Sequence, residues 1–175
     1  GLDISQTTTN RYLDHLEGAY MVRKLMPFHV NSKKRLVKSP KIFFRDSGIF
    51  HTLQGIESEQ ALISHPKLGA SWEGFALEQM LSSLQGEEAY FYAIHGGSDL
   101  DLYLPKHRLG FEIKRTDAPR KSRSMEIAMR DLGLKKLIVV YPGTRSYELG
   151  DQVHAMPLGD VVSSLGSSKP FANFS

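Results

Sequence analysis

Two neighbouring stretches in the second half of the chain alternate between hydrophobic and polar residues. Residues 99–104 carry leucine at every second position, with Asp101 among the polar residues between them. Residues 110–115 alternate in the same way and carry Glu112 and Lys114 at polar positions. Because successive side chains of a β-strand point to opposite faces, each stretch is predicted to be a strand. The short turn between them predicts an antiparallel hairpin with the leucines on one face and Asp101, Glu112 and Lys114 on the other.

Other patterns predict the elements that surround this hairpin. Apolar residues at helical spacing predict helices over residues 5–20, 71–84, 124–132 and 159–165. Short apolar or mixed runs predict strands over residues 41–45, 89–94 and 153–158. The near-continuous apolar run at residues 136–141 is typical of a strand buried on both faces of a sheet. A helix, three strands, a helix and a strand together predict an α/β sandwich with a mixed central sheet.

The N-terminal part of the chain has the order helix, strand, basic loop and strand, which is typical of a winged-helix module. We therefore predict a small winged-helix module over residues 1–56, with residues 31–39 as its wing. Residues 57–70 lack a clear pattern and are predicted to be a linker. The α/β domain is predicted over residues 71–166, and a tail follows over residues 167–175.

Composition limits the class of protein. The chain is 41% hydrophobic and 23% charged, as expected of a folded domain rather than a disordered one. It has no cysteine, which excludes disulfides and thiolate metal sites and fits a reducing compartment, so we expect a cytoplasmic protein. No apolar run reaches about 18 residues, so we expect no membrane partner. The chain begins with Gly1 and not with methionine, so we expect a piece of a longer protein.

Charge is distributed unevenly along the chain, although the net charge is only +3. Two basic stretches, residues 23–45 and 105–125, flank an acidic one at residues 46–104. Basic stretches attract polyanions, so we predict contact with DNA, although such runs are also common on surfaces that face only solvent. The residues predicted to bind nucleic acid are Arg11, Lys33, Lys34, Arg35, Lys38, Arg115, Arg120, Lys121 and Arg123.

Asp101, Glu112 and Lys114 have the chemistry that hydrolysis of a phosphodiester requires. Two adjacent carboxylates repel each other unless a cation lies between them, and carboxylate oxygens suit Mg²⁺ or Mn²⁺. A lysine on the same face can orient a water molecule or stabilise the charge that develops on a phosphate. The alternative interpretation is a set of cross-strand ion pairs on an exposed sheet face.

The order of these residues resembles the PD-(D/E)XK nuclease superfamily, which has a restriction-endonuclease-like α/β fold. A helix with Glu73 precedes the strand with Asp101, and the next strand carries Glu112 and Lys114 before another helix. The resemblance implies that the metal-binding and catalytic carboxylates are Glu73, Asp101 and Glu112. It also implies that Lys114 is the catalytic lysine. The superfamily's proline is absent, since Leu100 precedes the aspartate.

Glu78 is an alternative for the helix carboxylate. Five positions apart on a helix, Glu73 and Glu78 point about 140° apart, so only one of them can face the hairpin. We favour Glu73.

Nearly the whole chain is similar to a C-terminal region of unknown function found behind the ATPase module of bacterial and archaeal AAA-type ATPases. The similarity is carried by residues 36–49, 72–75, 97–102 and 111–114, and the Lys-Ser-Pro-Lys stretch at 38–41 is the most distinctive piece. It implies a winged helix and a nuclease-like domain behind an ATP-binding domain of the same polypeptide. The chain itself has no Gly-x-x-x-x-Gly-Lys-Ser/Thr motif, so we expect no ATP site in it.

Two hypotheses for function follow. In the first, the chain is the C-terminal part of an AAA-type ATPase and acts as a nuclease that hydrolyses DNA with Mg²⁺ or Mn²⁺. In the second, the fold is kept without catalysis, and the chain is a DNA- or protein-binding regulatory module of the ATPase. His95, His107 and His154 lack metal-ligand spacing and are predicted to be surface or loop residues.

Overall fold

The computed structural model describes residues 4–30, 36–84, 86–95, 97–167 and Phe174. Within these residues the chain forms helices and strands in a mixed order. The helices are α1 (Gln6–Gly18), α2 (Ser47–Leu53), α3 (Glu59–Ser64), α4 (Leu68–Ser83), α5 (Arg123–Leu132) and α6 (Leu158–Leu165). The strands are β1 (Val22–Leu25), β2 (Lys41–Phe44), β3 (Tyr90–Ala93), β4 (Asp99–Leu104), β5 (Leu109–Ile113), β6 (Lys136–Tyr141), β7 (Tyr147–Gly150) and β8 (Val153–Pro157).

Six of the strands form one mixed sheet in the order β3-β4-β5-β6-β8-β7. The β3/β4, β4/β5 and β7/β8 pairs are antiparallel, whereas β5/β6 and β6/β8 are parallel. The predicted α/β class with a mixed central sheet is therefore confirmed. The apolar run at residues 137–141 is buried throughout β6, in the middle of the sheet, as its sequence predicts.

Helices cover both faces of this sheet. Along β6, Ile138 and Val140 pack in a core with Leu77 of α4, and α6 contributes to the same core. The alternate residues Leu137 and Val139 pack in a second core with α5. Each core is built from the period-two alternation of the strands against the apolar face of a helix.

The alternation predicted for β4 is interrupted. Leu102 and Leu104 pack in the core beneath α4, but Leu100 packs in the core beneath α5. The cause is a shift of register in the β3/β4 pairing, where Tyr90 pairs with Tyr103 but Tyr92 pairs with Leu100. The shift leaves one extra residue in β4 opposite β3, and such an extra residue changes the direction of the side chains beside it. The prediction that the three leucines share one face is therefore wrong.

The N-terminal segment contributes α1 and a two-stranded antiparallel sheet of β1 and β2. Leu25 of β1 is buried in the core beneath α4, so this sheet packs directly on the larger one. The described end of the predicted wing, residues 36–39, runs beside β3, because the Val37 N–H donates to the Ala93 carbonyl oxygen at 3.0 Å. This end of the predicted wing therefore packs against the main sheet. No residue of α1 is buried.

Two further elements differ from the sequence-based expectation. The segment 57–70 contains α3, which Ser58 caps by accepting a hydrogen bond from the Ala61 N–H, and the first turn of α4. Strand β7, at one edge of the sheet, has no counterpart among the predicted strands. None of the helices in the described ranges has the length and apolar character needed to cross a membrane.

Candidate functional site

Three carboxylates surround the ammonium of Lys41 at one edge of the hairpin. Lys41 opens strand β2, and its Nζ lies 3.0 Å from Asp101 Oδ1, 3.5 Å from Glu73 Oε1 and 3.6 Å from Asp99 Oδ1. The side chain of Lys41 is 24% exposed. Burial lowers the pKa of Lys41, but the carboxylates, Asp101 foremost, raise it by more, so the ammonium stays charged. Elements from three parts of the chain thus meet at one cation.

Asp101 is held at the point where β4 and β5 stop pairing. The paired positions run from Leu104 and Leu109 to Leu102 and Phe111. One step further, the backbone N–H of Ile113 donates instead to Asp101 Oδ2 at 2.8 Å. The Asp101 side chain therefore replaces a backbone acceptor and is tied to the strand that carries Glu112.

Glu112 is the most deeply buried carboxylate of this region, with a side chain 7% exposed. Its Oε1 lies 2.5 Å from Lys114 Nζ, whereas its Oε2 is buried and has no hydrogen-bond partner. Burial, and then repulsion from Asp101, raises the pKa of Glu112 to about 7, although Lys114 opposes the shift. Burying a carboxylate oxygen without a partner costs free energy, so binding of a proton or a cation at this atom would stabilise the folded protein.

Lys114 links this buried region to solvent. Its side chain is 45% exposed, and its backbone N–H donates to the Val140 carbonyl oxygen at 2.9 Å, which fixes the end of β5 beside β6. Interaction with Glu112 outweighs burial and raises the pKa of Lys114 above its ordinary value. The lysine therefore presents a positive charge beside Glu112 at the edge of the sheet.

The two glutamates of α4 lie in different surroundings. Glu73 faces Lys41 and Asp101, and burial, followed by repulsion from Asp101, raises its pKa. Glu78 instead accepts hydrogen bonds from Arg23 at 2.6 and 2.8 Å and from Arg45 at 2.9 Å. Glu73 is thus the helix carboxylate on the side of Asp101, whereas Glu78 joins α4 to the N-terminal strands.

The predicted group of ligands is not assembled as three carboxylates around one vacant centre. Within the described ranges, no three His, Asp or Glu side chains form a group that could hold a metal ion by themselves. Lys41 stands among Glu73, Asp99 and Asp101 instead. Mg²⁺ commonly uses one or two carboxylates and completes its shell with water and substrate oxygens. Asp101 and Glu112, with its unpartnered oxygen, fit that smaller donor set.

Lys41 and Asp99 were missed as site residues by sequence reasoning. Asp99 has the same parity as Asp101 in β4, and this spacing could have drawn attention to it. Lys41 is 60 residues away from Asp101, and the sequence marks it only as the last residue of the distinctive Lys-Ser-Pro-Lys stretch and the start of a predicted strand.

The residues predicted to bind nucleic acid fall into separate groups. Arg115, Arg120, Lys121 and Arg123 are exposed on the segment between Lys114 and the first turn of α5. Lys121 is engaged with Glu126, with 3.1 Å between nitrogen and oxygen. Arg11 and Lys38 are exposed on α1 and before β2. Lys33, Lys34 and Arg35 lie outside the described residues.

Comparison with known families places the α/β part of the chain. A family model described as "Domain of unknown function (DUF4143)" matches residues 68–161, which is more than half of the chain. The chain belongs to the DUF4143 family. A second model, "Domain of unknown function (DUF8612)", matches residues 1–60 of this DUF4143 protein. The matched region of the first model contains Glu73, Asp101 and Glu112.

Curated relatives of this DUF4143 chain are longer than the chain itself. Over 165 residues, or 93% of its length, the chain is 47% identical to an uncharacterized protein of Mycobacterium tuberculosis and to one of Mycobacterium bovis. It spans 37% of the length of each. No solved structure matches the chain.

Proposed function

We propose that this chain is a nuclease-type domain that hydrolyses DNA phosphodiesters with a divalent cation, Mg²⁺ or Mn²⁺. The observation that carries the proposal is the buried, unpartnered Oε2 of Glu112 beside Asp101. Such an atom is expected where a cation completes the site when substrate binds. The fold proposed with it is that of the PD-(D/E)XK superfamily, supported by the mixed sheet with α4 on one face and α5 on the other.

Asp101 and Glu112 would hold the metal ion, and Glu73 would assist from α4. When bound, a divalent cation supplies a Lewis acid that polarises a phosphate oxygen and lowers the pKa of a coordinated water. The residues themselves supply the fixed geometry. The hydrogen bond from Ile113 orients Asp101, and the end of β5 is held against β6 through the N–H of Lys114.

Lys114 is the proposed catalytic lysine. Its ammonium donates to Glu112 Oε1 at 2.5 Å and is half exposed, so a phosphate that approaches the edge of the sheet meets it directly. A fixed positive charge at this place stabilises the negative charge that develops on phosphate oxygens during hydrolysis. It also orients a water molecule through one of its remaining N–H groups.

The exposed basic segment that follows Lys114 supports DNA as the substrate. Arg115, Arg120 and Arg123 are solvent-exposed between the proposed site and the start of α5. Arginine side chains bind phosphate oxygens without reading sequence, so they would hold the DNA backbone beside Lys114.

Mn²⁺ titration by calorimetry tests the metal site. We expect wild-type protein to bind Mn²⁺ and Asp101→Ala to lose binding, while Asp151→Asn, an exposed position in the β7–β8 turn, binds as wild type does. Absence of binding by wild type would exclude the nuclease proposal. Binding that survives the loss of Asp101 would exclude this placement of the site.

DNA cleavage tests the chemistry separately. Plasmid and linear duplex DNA are incubated with protein and Mn²⁺, and products are followed on gels. Wild type is expected to nick or cut the DNA, and Lys114→Met is expected to keep Mn²⁺ binding while losing cleavage. Lys135→Met, an exposed lysine before β6, is the control and should cleave normally.

A second candidate function is a DNA- or protein-binding regulatory module without catalysis. The observation that favours it is Lys41, which offsets part of the charge of Glu73, Asp99 and Asp101 without a metal ion. This function predicts DNA binding that is insensitive to chelation and is never followed by cleavage. In either function, we place the domain in a longer polypeptide with an upstream AAA-type ATPase domain, which the greater length of the relatives accommodates.

A further inference from the structure

The ammonium of Lys41 and the proposed divalent cation compete for one carboxylate. Asp101 Oδ2 accepts the N–H of Ile113 within the sheet, whereas Asp101 Oδ1 is held by the movable side chain of Lys41 at 3.0 Å. A hard divalent cation lies about 2.1 Å from a carboxylate oxygen, so a metal ion on Oδ1 would be within about 5 Å of the ammonium. Two cations this close repel each other strongly in a half-buried site.

We propose that Lys41 is a tethered competitor of the divalent cation, so that the N-terminal strand β2 sets the metal affinity of the Asp101 site. The inference rests on the proposed metal site. Lys41 acts here as a positioning residue. It keeps the carboxylates together and partly neutralised without metal, and it must withdraw from Asp101 when a metal ion binds.

The surroundings of Lys41 allow this withdrawal. Its four-carbon stem is flexible, and its Nζ already lies 3.6 Å from Asp99, whose side chain is more than half exposed. The ammonium can therefore stay paired with Asp99 near solvent after it leaves Asp101. Its ammonium also lies over the ring of Phe91, 5.5 Å from Nζ to the ring centre, which provides a second contact.

Lys24 provides a matched control on the neighbouring strand. It lies on β1, where it pairs with Ile42, the residue next to Lys41. Its ammonium also binds two carboxylates, those of Asp14 and Glu17 on α1. Both of these carboxylates are well exposed, so loss of Lys24 removes a comparable lysine–carboxylate cluster without changing the Asp101 site.

Calorimetric titration with MnCl₂ compares wild type with Lys41→Met, Lys41→Arg and Lys24→Met. The Met variant should bind Mn²⁺ about tenfold more tightly or better, because the competing charge is gone. The Arg variant keeps the charge and should bind no more tightly than wild type, and Lys24→Met should match wild type. In the double variant Lys41→Met/Asp101→Asn the gain should disappear.

Thermal unfolding provides a readout that does not depend on activity. In EDTA, Lys41→Met should unfold at a lower temperature than wild type, because its carboxylates lack their counter-ion. Mn²⁺ should then raise its Tm by more than that of wild type. Lys41→Gln, which keeps a donor without the charge, should behave in the same way and serves if the Met variant does not fold.

The outcomes separate this inference from the proposed function. If wild type binds Mn²⁺ and cleaves DNA but neither neutral variant binds more tightly, the competitor role is wrong and the nuclease proposal stands. If a neutral variant binds Mn²⁺ through Asp101 while wild type binds none and cuts no DNA, the competitor role stands and the nuclease proposal fails. If wild type and both neutral variants bind no Mn²⁺, both fail.

Discussion

Asp101 Oδ2 accepts a hydrogen bond from the backbone N–H of Ile113 at 2.8 Å. The bond lies where β4 and β5 separate, so the side chain satisfies a buried donor that the ladder leaves open. Asp101→Ala removes this acceptor, whereas Asp101→Asn keeps an amide oxygen in reach. We expect Asp101→Ala to lower the free energy of unfolding by about 1–3 kcal/mol more than Asp101→Asn does. Urea denaturation in EDTA measures the free energy of unfolding of both variants. Equal losses in the two would show that the hydrogen bond from Ile113 contributes nothing to stability.

The raised pKa of Glu112 predicts a dependence of stability on pH. The ordinary pKa is 4.5, and in the folded protein it is about 7. Between these values the folded state keeps a proton that the unfolded state has lost, so the free energy of unfolding falls as the pH rises from about 4.5 to about 7. Above about pH 7 the Glu112 carboxylate is charged in the folded and the unfolded state, and its burial then lowers the free energy of unfolding by the full amount.

Glu112→Gln removes this cost. The stability of the variant relative to wild type should rise by about 3 kcal/mol as the pH increases from 4.5 to 8. Denaturant titrations of both proteins across this range, in EDTA, measure the difference. A difference that does not change with pH would show that Glu112 is not the titrating group. Lys114→Met should extend the loss of stability to higher pH, because the ammonium beside Glu112 opposes the rise of its pKa.

Glu78 is predicted to join the N-terminal strands to α4. Its side chain is 10% exposed and accepts hydrogen bonds from Arg23 of β1 and from Arg45, which directly follows β2. Glu78→Gln leaves both guanidinium groups without their anion, and we expect a loss of about 2–4 kcal/mol in the free energy of unfolding. Glu73→Gln, on the same helix, should cost less stability, because the Glu73 carboxylate has only a 3.5 Å contact with Lys41 in place of the arginine hydrogen bonds of Glu78. Urea denaturation at neutral pH tests the order of the two losses.

The effect of Glu78 on stability depends on pH with the opposite sign to that of Glu112. Burial raises the pKa of Glu78, but the hydrogen bonds from Arg23 and Arg45 lower it by more, so it lies below its ordinary value. The stability that Glu78 contributes is therefore complete above the ordinary glutamate pKa and is lost as the pH falls below it. The gap between wild type and Glu78→Gln should narrow in acid, and a constant gap would contradict the role assigned to the ion pair.

Local patterns predict the central elements of the fold well, because burial imposes them directly. The apolar run at 136–141 and the helix that begins near residue 71 lie where the sequence indicates. Strand β7 was missed because none of its residues is buried, so no alternation marks it. Its place at the sheet edge is decided by pairing with β8, which a single-strand pattern does not contain.

The candidate site was predictable only in part. Glu112 and Lys114 stand two residues apart on one strand, and their contact follows from that spacing. The partners of Asp101 could not be read in the same way. The irregular β3/β4 register changes the direction of its neighbours, and Lys41 reaches it from a strand 60 residues earlier. Long-range pairing of charges has no local signature, so the cation at the centre of the carboxylates emerged only from the three-dimensional arrangement.

The basic segment after Lys114 is predicted to bind the DNA backbone. Its exposed arginines, Arg115, Arg120 and Arg123, would each replace a counter-ion on a phosphate, so binding should weaken as salt rises. Changing any one of them to glutamine should weaken binding to all sequences alike and should reduce the slope of log affinity against log salt by about one unit. Lys121→Gln should change it less, because Glu126 already holds that ammonium at 3.1 Å.

Fluorescence anisotropy of a short labelled duplex at several salt concentrations measures these slopes. Arg145→Gln is the control, because it removes an exposed arginine from the loop before β7, outside the segment that directly follows Lys114. Adding EDTA separates DNA binding from the metal site, since phosphate contacts by arginine need no divalent cation. If the three arginine variants and the control shift the slope equally, the segment is ordinary solvated surface. A slope that is reduced only in the segment variants would place the DNA beside Lys114, where the proposed chemistry needs it.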